Sequence, residues 1–354
     1  LSFLKHLRRW LRQPSPTTHA RAGAWRYAGA PPRTLAAGGF WIVPPMSLPL
    51  NEPGWLWVPV VLFAAAAQTV RNTAQRSLTT ELGTLPATLV RFLYGLPFAL
   101  VYLALLCLWL PAARVLPDFS LVYVGWIALG ALFQIAATAA LLVAMQERNF
   151  AVAVTLAKTE VLQVALFAAL FLHELPTPLA LLAMVLATLG VVVLSLPADR
   201  TQWLSASAWL SRPALYGLAG GACFAIATVC FRGGALALGA ASPWVSGAWG
   251  VLLAQSLQSI GLGAWVARRT PQGLAPLWRA WRVSLLTGAM GAAASLAWFT
   301  AYALQSVGPV RTLGMIEVVF SYFVSRRILS EHLLWQEKVG MLTVVAGLLL
   351  VCLQ

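Results

Sequence analysis

The chain of 354 residues predicts an all-α integral membrane protein, with ten transmembrane helices arranged as two inverted-topology five-helix repeats. The first observation behind this is composition. With 60% hydrophobic and 10% charged residues and a mean hydropathy of +0.79, the chain carries more apolar surface than one soluble core could hide. The second is length of run. Stretches of about 20 mostly apolar residues, enough to cross about 30 Å of hydrocarbon, recur with short polar breaks. Ten are counted, at roughly 55 to 76, 86 to 110, 120 to 145, 151 to 172, 177 to 196, 213 to 235, 243 to 267, 282 to 305, 309 to 329 and 334 to 353.

The third observation is an internal repeat. Glu160 and Glu174 in AKTEVLQVALFAALFLHEL answer to Glu317 and Glu331 in GMIEVVFSYFVSRRILSEH, 157 positions later. The same offset relates Gly190 to Gly347, and an offset of 156 relates Arg76 to Arg232 and Gly83 to Gly239. One unit therefore fills the chain twice, over 55-196 and 213-353, with a linker at 197-212. Five helices per unit is an odd number, so the second copy must enter the membrane from the opposite side.

Residues 1-45 differ from the rest of the chain. They hold Lys5, Arg8, Arg9, Arg12, Arg21, Arg26 and Arg33, no acidic residue, and proline pairs at 31-32 and 44-45, a mix that does not form a packed core. The expectation is a disordered or untranslated leader, with the natural product starting at Met46. The alternatives are an interfacial helix, since Leu4, Leu7 and Leu11 face away from Lys5, Arg8 and Arg12, or an Arg-rich targeting peptide.

The first helix carries a polar stripe. Gln68, Arg71, Asn72 and Gln75 fall at i, i+3, i+4 and i+7 on one face, the others being Val, Leu, Phe and Ala. Such a face lines a wet cavity, where Arg71 holds a carboxylate or phosphate, or it is a polar seam gluing helices together. On the fourth helix Lys158, Glu160 and Gln163 stand among apolar residues, and on the ninth Glu317 does. An ionisable group at that depth costs from about 2.5 kcal/mol upward and marks a pathway or a buried pair. Glu160 and Glu317 are therefore coupling candidates, or else permanent ion-pair partners of Lys158 or Arg71.

Glu174 and Glu331 end their helices and read as turn or cap residues, with Thr177 and Pro178 as cap and first position of the fifth helix. In the second repeat Ser295, Trp298, Phe299 and Tyr302 share a face of the eighth helix, as substrate-cavity lining for an amphipathic organic molecule or as core packing. Gln255, Gln258 and Ser259 form a smaller polar set on the seventh. Trp55, Trp57, Trp203, Trp209, Trp278, Trp281 and Trp335 sit near helix ends and read as an interfacial belt. Cys107, Cys223, Cys230 and Cys352 lie inside the apolar runs and behave as small apolar side chains.

The formal charge of +14 shrinks without the leader. Removing its seven basic residues from 24 leaves 17 against 10 acidic, or +7, which suits loops meeting anionic lipid and does not imply nucleic acid. The positive-inside rule makes cytoplasmic the side with Arg148, Arg200, Arg212, Arg268, Arg269, Arg279, Arg282, Arg326, Arg327 and Lys338. Arg114, Arg232 and Arg311 are then left near the other face, and both ends of the mature chain lie outside.

Enzymatic motifs are missing. There is no G-x-x-x-x-G-K-[ST] loop, and His173-Glu174 is not followed by the second histidine of a zinc-protease helix. No cofactor and no metal is expected. The partners expected are a small-molecule substrate and the lipid bilayer, with a monomer compatible with the sequence.

A central Glu, a second Glu 14 positions on, then a short turn and a helix with a late Gly occur as Glu160, Glu174, Gly190 and again as Glu317, Glu331, Gly347. This pattern resembles the EamA-type domain of the drug/metabolite transporter superfamily, over about 55-353. The resemblance implies a ten-helix carrier in the cytoplasmic membrane that exports or exchanges small organic metabolites or drugs by alternating access. A passive channel or lipid-handling scaffold is the alternative. Val161 and Val318 stand where the family often has Pro after the central Glu, so the usual cause of a kink is absent there. The family commonly keeps both termini in the cytoplasm, against the charge count, and orientation stays open.

Overall fold

The computed structural model of the chain describes residues 53–145, 156–194, 212–240, 242–269, 275–320 and 335–353. The leader at 1-45, most of the 197-212 linker, and Glu331 lie outside the described residues.

Every regular element among the described residues is helical. In order they are α1 (Trp57–Leu82), α2 (Thr84–Leu93), α3 (Leu96–Trp109), a 3₁₀ turn (Pro111–Arg114), α4 (Leu121–Met145), α5 (Glu160–Phe171), α6 (Pro178–Leu194), α7 (Arg212–Leu238), α8 (Pro243–Arg269), α9 (Ala275–Arg279), α10 (Trp281–Leu304), α11 (Val307–Gly314) and α12 (Trp335–Cys352). After α11 the chain turns at Met315 and is helical again over 316–320.

Among the described residues, six helical stretches are long and apolar enough to cross a membrane: Leu85–Trp109, Leu121–Ala140, Ala214–Leu238, Pro243–Arg269, Trp281–Leu304 and Trp335–Cys352. They coincide with the second, third, sixth, seventh, eighth and tenth runs of the sequence. The first run forms the 26-residue α1, whose polar stripe dilutes its apolar content. The fourth and fifth runs give α5 and α6, apolar helices of 12 and 17 residues.

Side-chain size sorts inside from outside. The interior is rich in alanine, including Ala64, Ala99, Ala183, Ala187, Ala225 and Ala294, whereas Leu105, Leu108, Leu132, Leu170, Ile260 and Leu342 face outward. This is the arrangement for helices whose surroundings are as apolar as their cores, where close backbone approach replaces hydrophobic collapse as the glue. The longest packing contacts join α1 to α10, α4 to α7, and α6 to α12, while α8 lies against α2, α3 and α10. Small residues set these approaches. A Cβ on Gly190 would come 2.5 Å from the Val344 nitrogen and 2.8 Å from the Gly340 oxygen, and one on Gly347 would come 2.7 Å from the Ala187 nitrogen.

Gly83 and Gly239 end α1 and α7 with φ of 80° and 55°, in the region that side chains disfavour. Trp55, Trp278, Trp281 and Trp335 are exposed near helix ends, but Trp57 is buried in the core, so the expected belt loses that member. Trp203 and Trp209 lie outside the described residues.

Candidate functional site: two broken helices and a buried ion network

The fourth and ninth runs are not continuous helices. In the fourth, the Thr159 N–H donates to Leu156 O at 3.1 Å and the Leu162 N–H to Thr159 O at 3.0 Å. In the ninth, Met315 N–H donates to Thr312 O and Val318 N–H to Met315 O, both at 3.0 Å. These are i to i−3 bonds that tighten one turn, and the second set repeats the first at an offset of 156. The kink exists without proline, which corrects the expectation drawn from Val161 and Val318.

The two central carboxylates come after these turns unequally. Glu160 stands one residue after Thr159, and Glu317 two after Met315. One residue rotates a side chain by about 100° around a helix. The carboxylates therefore meet different neighbours.

Glu160 pairs with Arg311, whose Nη2 donates to its Oε1. The sequence offers Lys158 or Arg71 as the cation; the structure supplies Arg311 instead. Arg311 stands on α11, four residues into that helix, because α11 packs against α5 and α1. Its guanidinium also lies 5.2 Å from the centre of the Trp298 ring. A second pair joins Arg232 on α7 to Glu174, Nε to Oε1 at 2.8 Å. Arg232 Nη1 further donates to the Tyr302 carbonyl at 2.6 Å. Arg232 thus ties α7 to the turn after α5 and to α10.

Glu317 has no cation in direct contact among the described residues. Its oxygens accept from Gln68 Nε2 and from Asn72 Nδ2, the latter at 2.6 Å. Gln68 Oε1 in turn accepts from the Trp298 indole at 2.9 Å, and Asn72 Oδ1 accepts from Arg71 Nη2 at 2.6 Å. Gln68 and Asn72 of the stripe thus bond to α10 and to the helix over 316–320, as the polar-seam alternative expects of them, whereas Arg71 bonds to Asn72 on its own helix.

Lys158, Glu160, Val161, Arg311, Gly314, Met315, Glu317 and Val318 line a cavity of about 20 Å³. That holds about one water. Of the predicted cavity residues only Lys158 borders it. Gln68, Arg71, Asn72 and Gln75 do not, Gln163 donates to the Thr159 hydroxyl at 3.0 Å, and Ser295 is half-buried on α10. Trp298, Phe299 and Tyr302 are buried; Phe299 packs on Phe231 with ring centres 4.4 Å apart, and Trp298 stacks on Tyr302 at 6.1 Å. In this conformation the aromatic face is core.

Glu174 lies in the turn after α5, as expected, with His173 at φ 55° and the Glu174 N–H returning to Ala168 O at 3.2 Å. Its ion pair has no signal in the local sequence. Thr177 Oγ1 accepts from the Ala180 N–H at 3.1 Å at the start of α6. Among the described residues no three of His, Cys, Asp or Glu gather as a metal site requires.

Sequence reasoning passes over Arg91. It is buried on α2, and a Cβ on Gly291 would lie 3.4 Å from Arg71 Cδ and 3.5 Å from Arg91 Cγ, so the two arginine stems flank one notch on α10. An arginine inside the second apolar run is the signal that could have found it.

No family model matches the chain, and none of the curated proteins matches it. Fifteen chains of solved structures do match. One, called "Crystal structure of protein", is similar with a TM-score of 0.61 and 16% identity, over 85% of this chain and 96% of that one. At that identity the likeness concerns the fold.

Proposed function

We propose that the chain is a secondary active transporter of the cytoplasmic membrane, with ten transmembrane helices in two inverted five-helix repeats, moving a small organic metabolite or drug by alternating access. The observation that carries the reading is the repeated 3₁₀ turn. Two interior helices break at positions 156 apart, and each break is succeeded at once by a buried or half-buried carboxylate. Discontinuous helices at the meeting of two repeats are where secondary carriers hold substrate and coupling ion.

The helix pairings support the same reading. Shifting residue numbers by one repeat turns the α1–α10 contact into the α7–α4 contact, and turns α6–α12 into itself. The Gly190 contacts with Gly340 and Val344 become those of Gly347 with Ala183 and Ala187. That is the pattern expected if each half contributes the same surfaces to the other.

The division of labour comes from the partners. Glu160, tied to Arg311, fixes α5 against α11. Glu317, whose direct contacts are the two neutral amides of Gln68 and Asn72, is the coupling candidate. The cavity of about 20 Å³ that both carboxylates line has room for about one water. The two halves rocking about the α6–α12 contact would widen it towards one side at a time.

The test begins with an untargeted comparison of metabolites in cells and medium with and without the protein. The compound that redistributes is then tracked in proteoliposomes, where saturable flux driven by a gradient is expected. Flux that rises linearly with concentration and ignores the gradient sinks the carrier reading in favour of a channel.

A further inference from the structure

We propose that Arg71 and Arg91, with the polar groups of Gln255, Ser259, Ser284 and Thr287, form an oxyanion-binding site for a carboxylate- or phosphate-bearing small molecule, separate from the Glu160–Glu317 cavity. The two arginine stems flank Gly291, and their charges repel one another. Arg71 is bonded to the amide of Asn72, a neutral acceptor. Arg91 is over nine-tenths buried, its Nε has no partner, and no carboxylate among the described residues pairs with it.

Unpartnered buried polar atoms lie on α8 and α10, the helices packed against α2. Gln255 is buried with neither amide atom bonded, and its amide lies over Gly95, where a Cβ would be 2.9 Å from Gln255 Oε1 and 2.7 Å from Arg91 O. Ser259 is one turn further along that face of α8, and its Oγ is unpartnered too. Thr287 and Ser284 stand one and two turns before Gly291 on α10, both with 0% exposure and unbonded hydroxyls. Buried polar atoms left unpaired each cost about 1–3 kcal/mol. Several of them on the helices packed against α2, beside an arginine whose guanidinium lies 4.5 Å from the centre of the Phe92 ring, point to an acceptor from outside the chain. An oxyanion supplies it: two oxygens accept from a guanidinium fork while hydroxyls and an amide fill the rest.

The surroundings suggest how it would enter. Leu89, Val90 and Phe92 beside Arg91 on α2 form a small apolar cluster with Leu78, Leu262, Val266 and Leu277, the last three lying one to two turns from Ser259 and Ser284. Past it, Arg268, Arg269, Arg279 and Arg282 are exposed. A basic rim raises the local concentration of anions, and parting the apolar cluster admits one.

The experiment uses the full-length chain in detergent. Chloride is replaced stepwise, at constant ionic strength, by inorganic phosphate in one arm and acetate in the other, and the thermal unfolding midpoint is read. A saturable rise in at least one arm is expected for the wild type, the responding arm identifying the headgroup. Arg91→Gln should abolish that rise, Arg91→Lys should weaken the apparent affinity more than tenfold, and Lys338→Gln, at the exposed start of α12 and outside the proposed site, should bind to saturation as the wild type does. In chloride alone Arg91→Gln should unfold no lower than the wild type, because it removes an uncompensated charge. No rise in either arm, an equal rise in Arg91→Gln, or failure of both Arg91 variants to fold overturns the proposal. Binding is read without transport, so the result is distinct from the fate of the carrier reading.

Discussion

Arg311 on α11 and Glu160 at the start of α5, 151 residues apart in the chain, form an ion pair in the interior of the bundle. The Arg311 side chain is 20% exposed and that of Glu160 11%, so both are largely desolvated. Removing one partner of such a pair strands the other charge, at about 3–5 kcal/mol. Glu160→Gln and Arg311→Met should each lower the midpoint of a denaturant titration in detergent by that order. The double variant should recover more than half of the loss. Additive losses in the double variant would show that the two residues act independently.

The Arg232–Glu174 pair should break more gently. Arg232 keeps its bonds to the Tyr302 and Ala303 carbonyls when Glu174 is neutralised. Glu174→Gln is therefore expected to cost about 1.5–3 kcal/mol, the range for a hydrogen bond to a charged group, and Arg232→Met more. Unfolding titrations of the two variants side by side check the order. A reversed order would mean that the carbonyl contacts contribute little.

Close helix packing gives a third outcome. Gly190→Ala pushes a methyl to 2.5 Å from the Val344 nitrogen, and Gly347→Ala pushes one to 2.7 Å from the Ala187 nitrogen, both against backbone that cannot swing away. Each should destabilise by about 1–3 kcal/mol. Gly125→Ala, with nothing within 4 Å of the new methyl, should be neutral or slightly stabilising. Thermal midpoints of the three variants separate a packed α6–α12 contact from a loose one.

Positive backbone angles provide a fourth. Gly83 and Gly239 hold φ of 80° and 55° at matching ends of α1 and α7. Alanine at either place should cost about 1–2 kcal/mol through strain, whereas asparagine at Gly239, whose φ is typical of the left-handed region, should cost less. Equal stability of Gly239→Ala and Gly239→Asn would show that the turn relaxes.

The helices are legible in the sequence because apolar runs of membrane length leave little choice of secondary structure, and the duplicated Glu and Gly positions are the sequence basis of the proposed two units. The breaks at Thr159 and Met315 are not legible. Both lie in sequence that lacks proline, and the tightened turns arise where α5, α11 and α1 pack together. The Arg311–Glu160 pair is not legible for a related reason: the two residues are 151 apart, and the packing of α11 on α5 brings them together. Arg91 is hidden by the high average hydropathy of its run. The α1 stripe is visible from spacing alone, yet whether it faces water or other helices depends on Glu317 and Trp298, 249 and 230 residues away from Gln68 in sequence.

The unequal roles of Glu317 and Glu160 are tested most directly by one comparison. The flux of the compound identified by metabolite comparison is measured in proteoliposomes at two pH values for the wild type, Glu317→Gln and Glu160→Gln. Glu317→Gln should fold normally and lose gradient-driven flux together with its pH dependence, while Glu160→Gln should be less stable but keep the pH dependence of whatever flux remains. Wild-type rate and pH response in a well-folded Glu317→Gln would contradict that division of roles.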